Sequence, residues 1–419
     1  MYRSAILLTG AIVAAGGAFA AFDGSAAYAQ ASKAPLELGE DAAARPWKRY
    51  QGWPVRDESK FSTLAKVVSP PPSKEPRKLS APLAGNADNG ARLVADRNRG
   101  GSCLACHVMG PAGGADLPGN VGPNLSEEGN AGRDDEFLFN YIFDARVYNP
   151  DTVMPPWGSH GTFNDQEIAD MVAFLQTLKA PAVFKTELDD PDKRPAPVEK
   201  RENLDPIENP GMWAVDKAQD LFKQKMASGA SCQTCHAKPE EQFKTWAAGM
   251  PKWEPRLNKV LGVEEFVTRH ARTTTGVDWP METDNNRVMS VYLHYLANGA
   301  PVAIDTSSPE AKAALERGKE LAGRKVGELN FACTDCHGKS ANHWIRGQWL
   351  GPPKGQYDHF PTWRTSLQAI WDIRQRFQWC QVNIRADELP PDAKEYGDLE
   401  FYLASQNDGQ KLSVPGIRH

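Results

Sequence analysis

The chain has 419 residues, with 48 Lys and Arg against 53 Asp and Glu, and a formal net charge of −5. That mild acidity excludes the basic footprint of a nucleic-acid binder, and the length exceeds one ordinary core and suits two to four units. Seven cysteines are present. Six of them fall in three Cys-x-x-Cys-His motifs, at Cys103–His107, Cys232–His236 and Cys333–His337, and the seventh is Cys380.

Residues 1–29 read as an export signal: Arg3, an apolar run from Ala5 to about Phe22, and Ala27-Tyr28-Ala29 before Gln30. An uncleaved anchor is the competing reading, disfavoured by a run rich in Ala and Gly and barely long enough to span. Cleavage removes Arg3 and Asp23 and leaves the charge at −5. The expected compartment is the periplasm, where free thiols tend to oxidise. Residues 30–83 form an N-terminal extension containing the Pro-rich stretch Ser69–Arg77, and no role is legible for them.

Behind the extension the motif spacings, 129 residues from Cys103 to Cys232 and 101 from Cys232 to Cys333, each fit one small helical domain. The first such domain spans 84–180. In it Asn164-Asp165-Gln166-Glu167 resembles a capping box, and Ile168, Met171, Val172 and Leu175 share one helix face. A charged, Pro-rich linker covers 181–208. The second domain spans 209–302, with a helical stretch Val288–Leu296, and the third spans 303–419, with another at Leu399–Ser405. Strand signals are scarce. The expected fold is all-α: three class I cytochrome c-like helical haem domains in tandem, joined by Pro-rich and charged linkers.

In Cys-x-x-Cys-His the two thiols add to haem vinyl groups and the His ligates the iron. Zinc or disulfides are the alternatives, and three matches behind an export signal favour three covalently bound haem c groups. The proximal ligands are then His107, His236 and His337, and Cys103, Cys106, Cys232, Cys235, Cys333 and Cys336 carry the cofactors. For the first haem, Met154 in Thr-Val-Met-Pro-Pro-Trp-Gly, 51 residues beyond Cys103, is the expected distal ligand. His160 is a weaker rival and Met109 lies too close to the motif. A Met filling the core is the bland reading. For the third haem, Cys380 stands 47 residues beyond Cys333, near Arg374, Arg376 and Arg385. Clustered guanidinium groups favour a thiolate and suit a small dianion, against an inert buried cysteine with solvated arginines. For the second haem, His270, Met281 and His294 all remain candidates on spacing, although His294 reads better as a packed or surface residue of its helix.

Long motifs carry a family resemblance. Gly101–His107, Gly119–Leu125, Tyr141–Arg146 and Asn149–Gly158 closely resemble SoxX, the small cytochrome of the bacterial sulfur-oxidising Sox system. Asn209–Met212, the two later motifs, Phe360–Arg364, Arg376-Phe-x-x-Cys380, Asn383–Ala386 and Pro415–Arg418 resemble dihaem SoxA. Together they cover nearly everything after about Leu83, as if SoxX and SoxA were fused. The resemblance implies an L-cysteine S-thiosulfotransferase that couples thiosulfate oxidatively to a cysteine of the carrier SoxYZ, with electrons passing to a soluble cytochrome c. It implies Cys380 as the active-site cysteine and haem ligand, Arg376 and Arg385 as holders of the sulfonate, and Met154 as the SoxX axial ligand. SoxA usually offers a cysteine to its first haem in an Arg-x-x-x-Cys-Arg setting. This chain has Arg269-His270-Ala271-Arg272 instead, so His270 is the expected replacement and Met281 its main competitor. A thiosulfate dehydrogenase forming tetrathionate and a non-catalytic tri-haem electron carrier are the alternative functions.

Overall fold

The structure is a computed structural model, described for residues 34–38, 57–68, 75–99, 102–110, 117–197 and 204–418. The expected export signal and residues 69–74 of the Pro-rich stretch lie outside these. Around the first motif stand helices α1 (Ala87–Ala95), α2 (Asp135–Asp144) and α3 (Asp165–Thr177). Asn164 and Glu167 cap α3 reciprocally, each side chain bonding the other residue's backbone N–H at 2.9 Å. Ile168, Met171, Val172 and Leu175 are buried on its inner face. Helices α1 and α3 cross closely because Gly90 lies under α3, where a Cβ would sit 2.0 Å from the Asp170 carbonyl oxygen.

The second motif lies on α5 (Cys232–Cys235), between α4 (Trp213–Lys223) and α6 (Pro239–Gln242), α7 (Val263–Thr274) and α8 (Asp284–Leu296). After α9 (Pro309–Gly323) the third motif occupies a wide π-type turn at Asp335–Lys339, followed by α10 (Ile373–Asn383) and α11 (Lys394–Ser405). Helix α4 packs on α8, and α9 packs on α11, as α1 does on α3.

The all-α expectation needs correcting, because seven three-residue strands join these helices among the described residues. Strands β1 (Lys252–Glu254) and β2 (Lys259–Leu261) form one antiparallel hairpin, and β3 (His343–Ile345) and β4 (Gln348–Leu350) another. Strand β5 (Thr362–Arg364) sits between antiparallel β6 (Ala369–Trp371) and parallel β7 (Gly416–Arg418). Strands this short give no alternating pattern to read, and a lone hairpin is marginal in water. Hairpins β1–β2 and β5–β6 pack into cores that helices share. Val260 and Trp253 pack with Ala311, Ala314 and Phe401 of α9 and α11, while Ile370 and Ile373 join the core around α4, α7 and α8. The second and third motif regions therefore share a core.

The extension and the linker are also built in. Leu36 and Leu64 are buried in different cores. In the linker, Arg194 donates to the Arg346 carbonyl at 2.8 Å and lies 4.9 Å from the Trp344 ring, tying the first motif region to the third. No helix among the described residues is long and apolar enough to cross a membrane.

Candidate functional site: three cysteine–histidine motifs and Cys380

Each motif is held by local hydrogen bonds that a short polar residue supplies. Ser102 accepts from the Leu104 N–H at 3.1 Å, the Ser231 N–H donates to the Thr234 hydroxyl at 3.0 Å, and Asp335 accepts from the Ala332 N–H at 2.8 Å. His107 Nδ1 lies 2.8 Å from the Pro123 carbonyl oxygen and His337 Nδ1 2.7 Å from that of Gly351. A carbonyl at Nδ1 fixes the tautomer and leaves Nε2 as the ligating nitrogen. The chain passes so close beneath His107 that a Cβ on Gly122 would sit 2.3 Å from the imidazole. All seven cysteines are unpaired. Burial pushes Cys103 up to about 11 and Cys333 to about 12, which favours neutral thiols. This donor set fits covalent haem c, with two thiols and one oriented imidazole per motif.

Around the first motif, Met154 and Cys103 pack against one apolar cluster containing Leu104 and Met109. Met109 is a buried core residue. His160 has Nδ1 2.6 Å from the Glu328 carbonyl oxygen of the third region and its ring 5.1 Å from Phe61, with Nε2 buried and unpartnered. The first and third motifs are neighbours. The Arg346 N–H donates to the Ala105 carbonyl at 2.9 Å, and burial, with Cys380 and Cys106 adding to it, pushes the Cys336 thiol up to about 12.

Cys380 sits in the third turn of α10, a helix started by the Asp372 carboxylate accepting from the Gln375 N–H at 2.8 Å. It is close enough to Cys333 and Cys336 to raise both thiols. Two arginines join Arg376 here. Arg364 comes from β5 and Arg418 from the parallel neighbour β7, the two being register partners. Burial pushes Arg364 down to about 10, with Arg376 and Arg418 adding to the fall and Cys380 opposing it. Its Nε is buried without a hydrogen-bond partner, and no carboxylate among the described residues pairs with Arg376. The buried Arg364, with an unpartnered Nε and with Arg376 and Arg418 beside it, makes this a candidate anion site.

Arg385 departs from the expected role. Its φ is 57°, and its guanidinium is engaged by the Glu328 carboxylate at 3.3 Å and the Asn98 carbonyl at 3.1 Å. It braces the first region against the third. Arg374 is equally occupied, fully buried between Glu400 at 2.7 Å and Glu265 at 3.1 Å. Sequence proximity to Cys380 pointed to Arg374 and Arg385, whereas strand pairing brings in Arg364 and Arg418. The motif Phe360–Arg364 and the ending Pro415–Arg418 were the available signal.

In the second region the His236 and His270 ring centroids stand 6.1 Å apart. His270 Nδ1 lies 2.9 Å from the Pro35 carbonyl oxygen. His294 is buried with Nδ1 2.9 Å from the Ser290 carbonyl oxygen, and burial pushes it down to about 4, the setting of a packed histidine. Met281 is buried.

A family described as SoxA/TsdA, cytochrome c domain, matches residues 217–302, and one described as Cytochrome C oxidase, cbb3-type, subunit III, matches residues 85–175. The L-cysteine S-thiosulfotransferase subunit SoxA of Pseudaminobacter salicylatoxidans is 30% identical over 216 residues, covering 51% of this chain and 75% of that protein. The protein of the same name from Paracoccus pantotrophus is 29% identical over 217 residues, covering 51% and 73%. The crystal structure of SoxXA from P. pantotrophus aligns with a TM-score of 0.48 at 28% identity, over 51% of this chain and 80% of that one. The two cytochrome c domain matches bear out covalent haem c, and the relatives place this chain in the SoxA family.

Proposed function

We propose that the chain is a SoxXA-type L-cysteine S-thiosulfotransferase in one periplasmic polypeptide, with three haem c groups in three helical units. The observation that carries the reading is the placement of Cys380 beside the Cys333–Cys336 pair and near the buried Arg364, with the half-buried Arg376 and Arg418 next to it.

The arginines hold the sulfonate of thiosulfate and leave its sulfane sulfur toward Cys380. One S–S bond forms between the Cys380 thiolate and the sulfane sulfur, and two electrons leave. Haem c held by Cys333, Cys336 and His337 would accept those electrons one at a time. The thiolate of the SoxYZ carrier cysteine then attacks the sulfane sulfur. It takes the –S–SO3 group, and the Cys380 thiolate departs as leaving group. The neighbouring Cys106 site in the SoxX-like unit, where His107 and Met154 would hold a further haem c, supports an exit to a soluble cytochrome c.

The test is incubation with thiosulfate and oxidised cytochrome c, with and without a carrier protein bearing an exposed cysteine. Cytochrome reduction that needs the carrier is expected. Tetrathionate formed without it means a thiosulfate dehydrogenase, and no turnover means an electron carrier. Cys380→Ala is expected to abolish turnover and leave the Met154 haem spectrum intact.

A further inference from the structure

The second and third regions are built on one repeated element. Hairpin β1–β2 pairs Lys252 with Leu261 and Glu254 with Lys259, and hairpin β5–β6 pairs Thr362 with Trp371 and Arg364 with Ala369. Each paired position recurs after 110 residues (Trp253 to Trp363, Leu261 to Trp371). Asn258 and Gln368, both at φ 50°, close the two turns at that spacing. Helices α7 and α10 start at Val263 and Ile373, again 110 residues apart. The same interval sets His270 where the third region has Cys380.

The residues around the two positions have diverged in a consistent direction. Arg364 corresponds to Glu254, whose carboxylate is held by Arg256 Nε at 2.7 Å. Arg376 corresponds to Phe266, which stacks on His270 at 5.3 Å and 15°. Strand β7, which delivers Arg418 beside β5, has no counterpart beside β1, whose sheet has two strands. The thiol and all three arginines are gone.

The remaining geometry suits a metal. Two metal–imidazole bonds of about 2.0–2.1 Å end to end, with about 1.1 Å from nitrogen to ring centre on each side, span about 6.3 Å. The observed centroid separation is 6.1 Å. Packing alone accounts for a half-buried histidine stacked on Phe266. It does not account for a ring whose centroid stands at this separation from that of His236 with Nδ1 already committed to the Pro35 carbonyl.

We propose that the second region is a copy of the catalytic one converted to electron transfer: His270 and His236 form a bis-imidazole haem site, the N-terminal segment 34–38 orients His270 through the Pro35 carbonyl, and no oxyanion site remains. The segment is anchored for this purpose. Leu36 is buried in the shared core, Glu37 ion-pairs with Arg272 at 2.7 Å, and the Glu37 N–H donates to the Arg269 carbonyl at 3.2 Å. The proposal rests on haem attachment at Cys232 and Cys235, which intact mass checks separately. Two haems with an unmodified Cys232–Cys235 pair would sink the haem reading itself.

With three haems present, electron paramagnetic resonance and near-infrared magnetic circular dichroism of the oxidised full-length protein are expected to show one bis-imidazole low-spin iron. His270→Ala removes that signal and leaves the others, and His270→Met converts it to a second His–Met signal. A wild-type spectrum without a bis-imidazole signal overturns the proposal whatever the variants do, and so does a signal that survives His270→Ala. His270→Cys incubated with thiosulfate is expected to gain no sulfur adduct at residue 270. An adduct there would show that an anion site survives.

Discussion

Replacing Arg364 by methionine separates a binding arginine from a structural one, because the two roles predict opposite signs in stability. Arg364 is 7% exposed, its Nε has no partner, and burial has pushed its pKa from the ordinary arginine range down to about 10. A base whose folded pKa is depressed destabilises the fold at every pH below that value, and the penalty disappears as pH rises from about 10 toward the ordinary arginine value. The fall corresponds to a penalty on the order of 3 kcal/mol. Arg364→Met keeps the volume and removes the charge, so at pH 7 the protein is expected to unfold later, by on the order of 1–3 kcal/mol. The lost charge-assisted hydrogen bonds to the sulfonate are worth about 1.5–3 kcal/mol, so kcat/KM for thiosulfate falls about 10–150-fold. Arg364→Lys restores the charge without the bidentate fork and recovers part of the loss. The assays are denaturant midpoints at pH 7 and steady-state cytochrome reduction. A variant that loses stability and keeps kcat/KM would refute the reasoning, since Arg364 would then be a structural arginine.

Three further outcomes test the framework around the site. Arg374→Met strips the guanidinium from Glu400 and Glu265 and is expected to cost about 3–5 kcal/mol, with Arg374→Met/Glu400→Leu recovering much of it in urea unfolding. Glu264 is pushed up to about 8 by burial, with Asp372 and Glu400 adding to the rise. Glu264→Gln is therefore expected to be silent below about pH 4.5 and increasingly stabilising from there to about pH 8, on the order of a few kcal/mol, read as the pH dependence of the unfolding midpoint. Glu328 accepts from the Thr162 hydroxyl at 2.6 Å and pairs with Arg385, so Glu328→Ala is expected to loosen the first region, slow haem-to-haem electron transfer in stopped flow, and expose the linker near Arg194 to proteolysis.

Local chemistry was legible in the sequence wherever it is covalent or helical. The three motifs, the Asn164 capping box and the buried face of α3 follow from residue identity at fixed spacing, and the structure shows the cap and the face. What the sequence hid depends on contacts between distant segments. Arg364 and Arg418 stand 54 residues apart (Arg364 to Arg418) and meet only because β5 and β7 pair in parallel register. Arg385 looked like a substrate ligand because it lies five residues from Cys380, and Glu328 in another segment claims it. The extension was silent because backbone carbonyls do its orienting work. Pro35 and Leu64 act through their C=O groups, on His270 and Arg324, and side-chain patterns do not report that. The repeat between the second and third regions was readable in Pro251-Lys252-Trp253 and Pro361-Thr362-Trp363, each followed by Leu in the turn. The haem cysteines hid it, because Cys232 and Cys333 are 101 residues apart whereas the hairpins and helices repeat at 110.

That mismatch says where the two copies diverged. Between motif and hairpin the third region carries an extra nine residues, and there it has the β3–β4 hairpin, Trp344 and Arg346. Trp344 and Arg346 add contacts to the first region beside those of Glu328 and Arg385: the Trp344 carbonyl accepts from the Asn120 N–H at 3.0 Å, and the Arg346 N–H donates to the Ala105 carbonyl. The insertion that disturbs the repeat thus lies at the surface where the first and third regions meet. The third region has both this contact surface and the arginines, and the second region has neither. A thiol that must pass electrons onward needs a neighbouring acceptor as much as it needs an anion cradle. The shared core, with Arg374 bridging Glu265 on α7 and Glu400 on α11, keeps the relay copy fixed against the catalytic one while the insertion fixes the first region on the other side. Shortening 343–350 to a tight turn is therefore expected to leave the haem count and the bis-imidazole signal unchanged and to slow electron transfer between the first and third haems. Unchanged transfer would mean that the arginines, and not the insertion, define the catalytic copy.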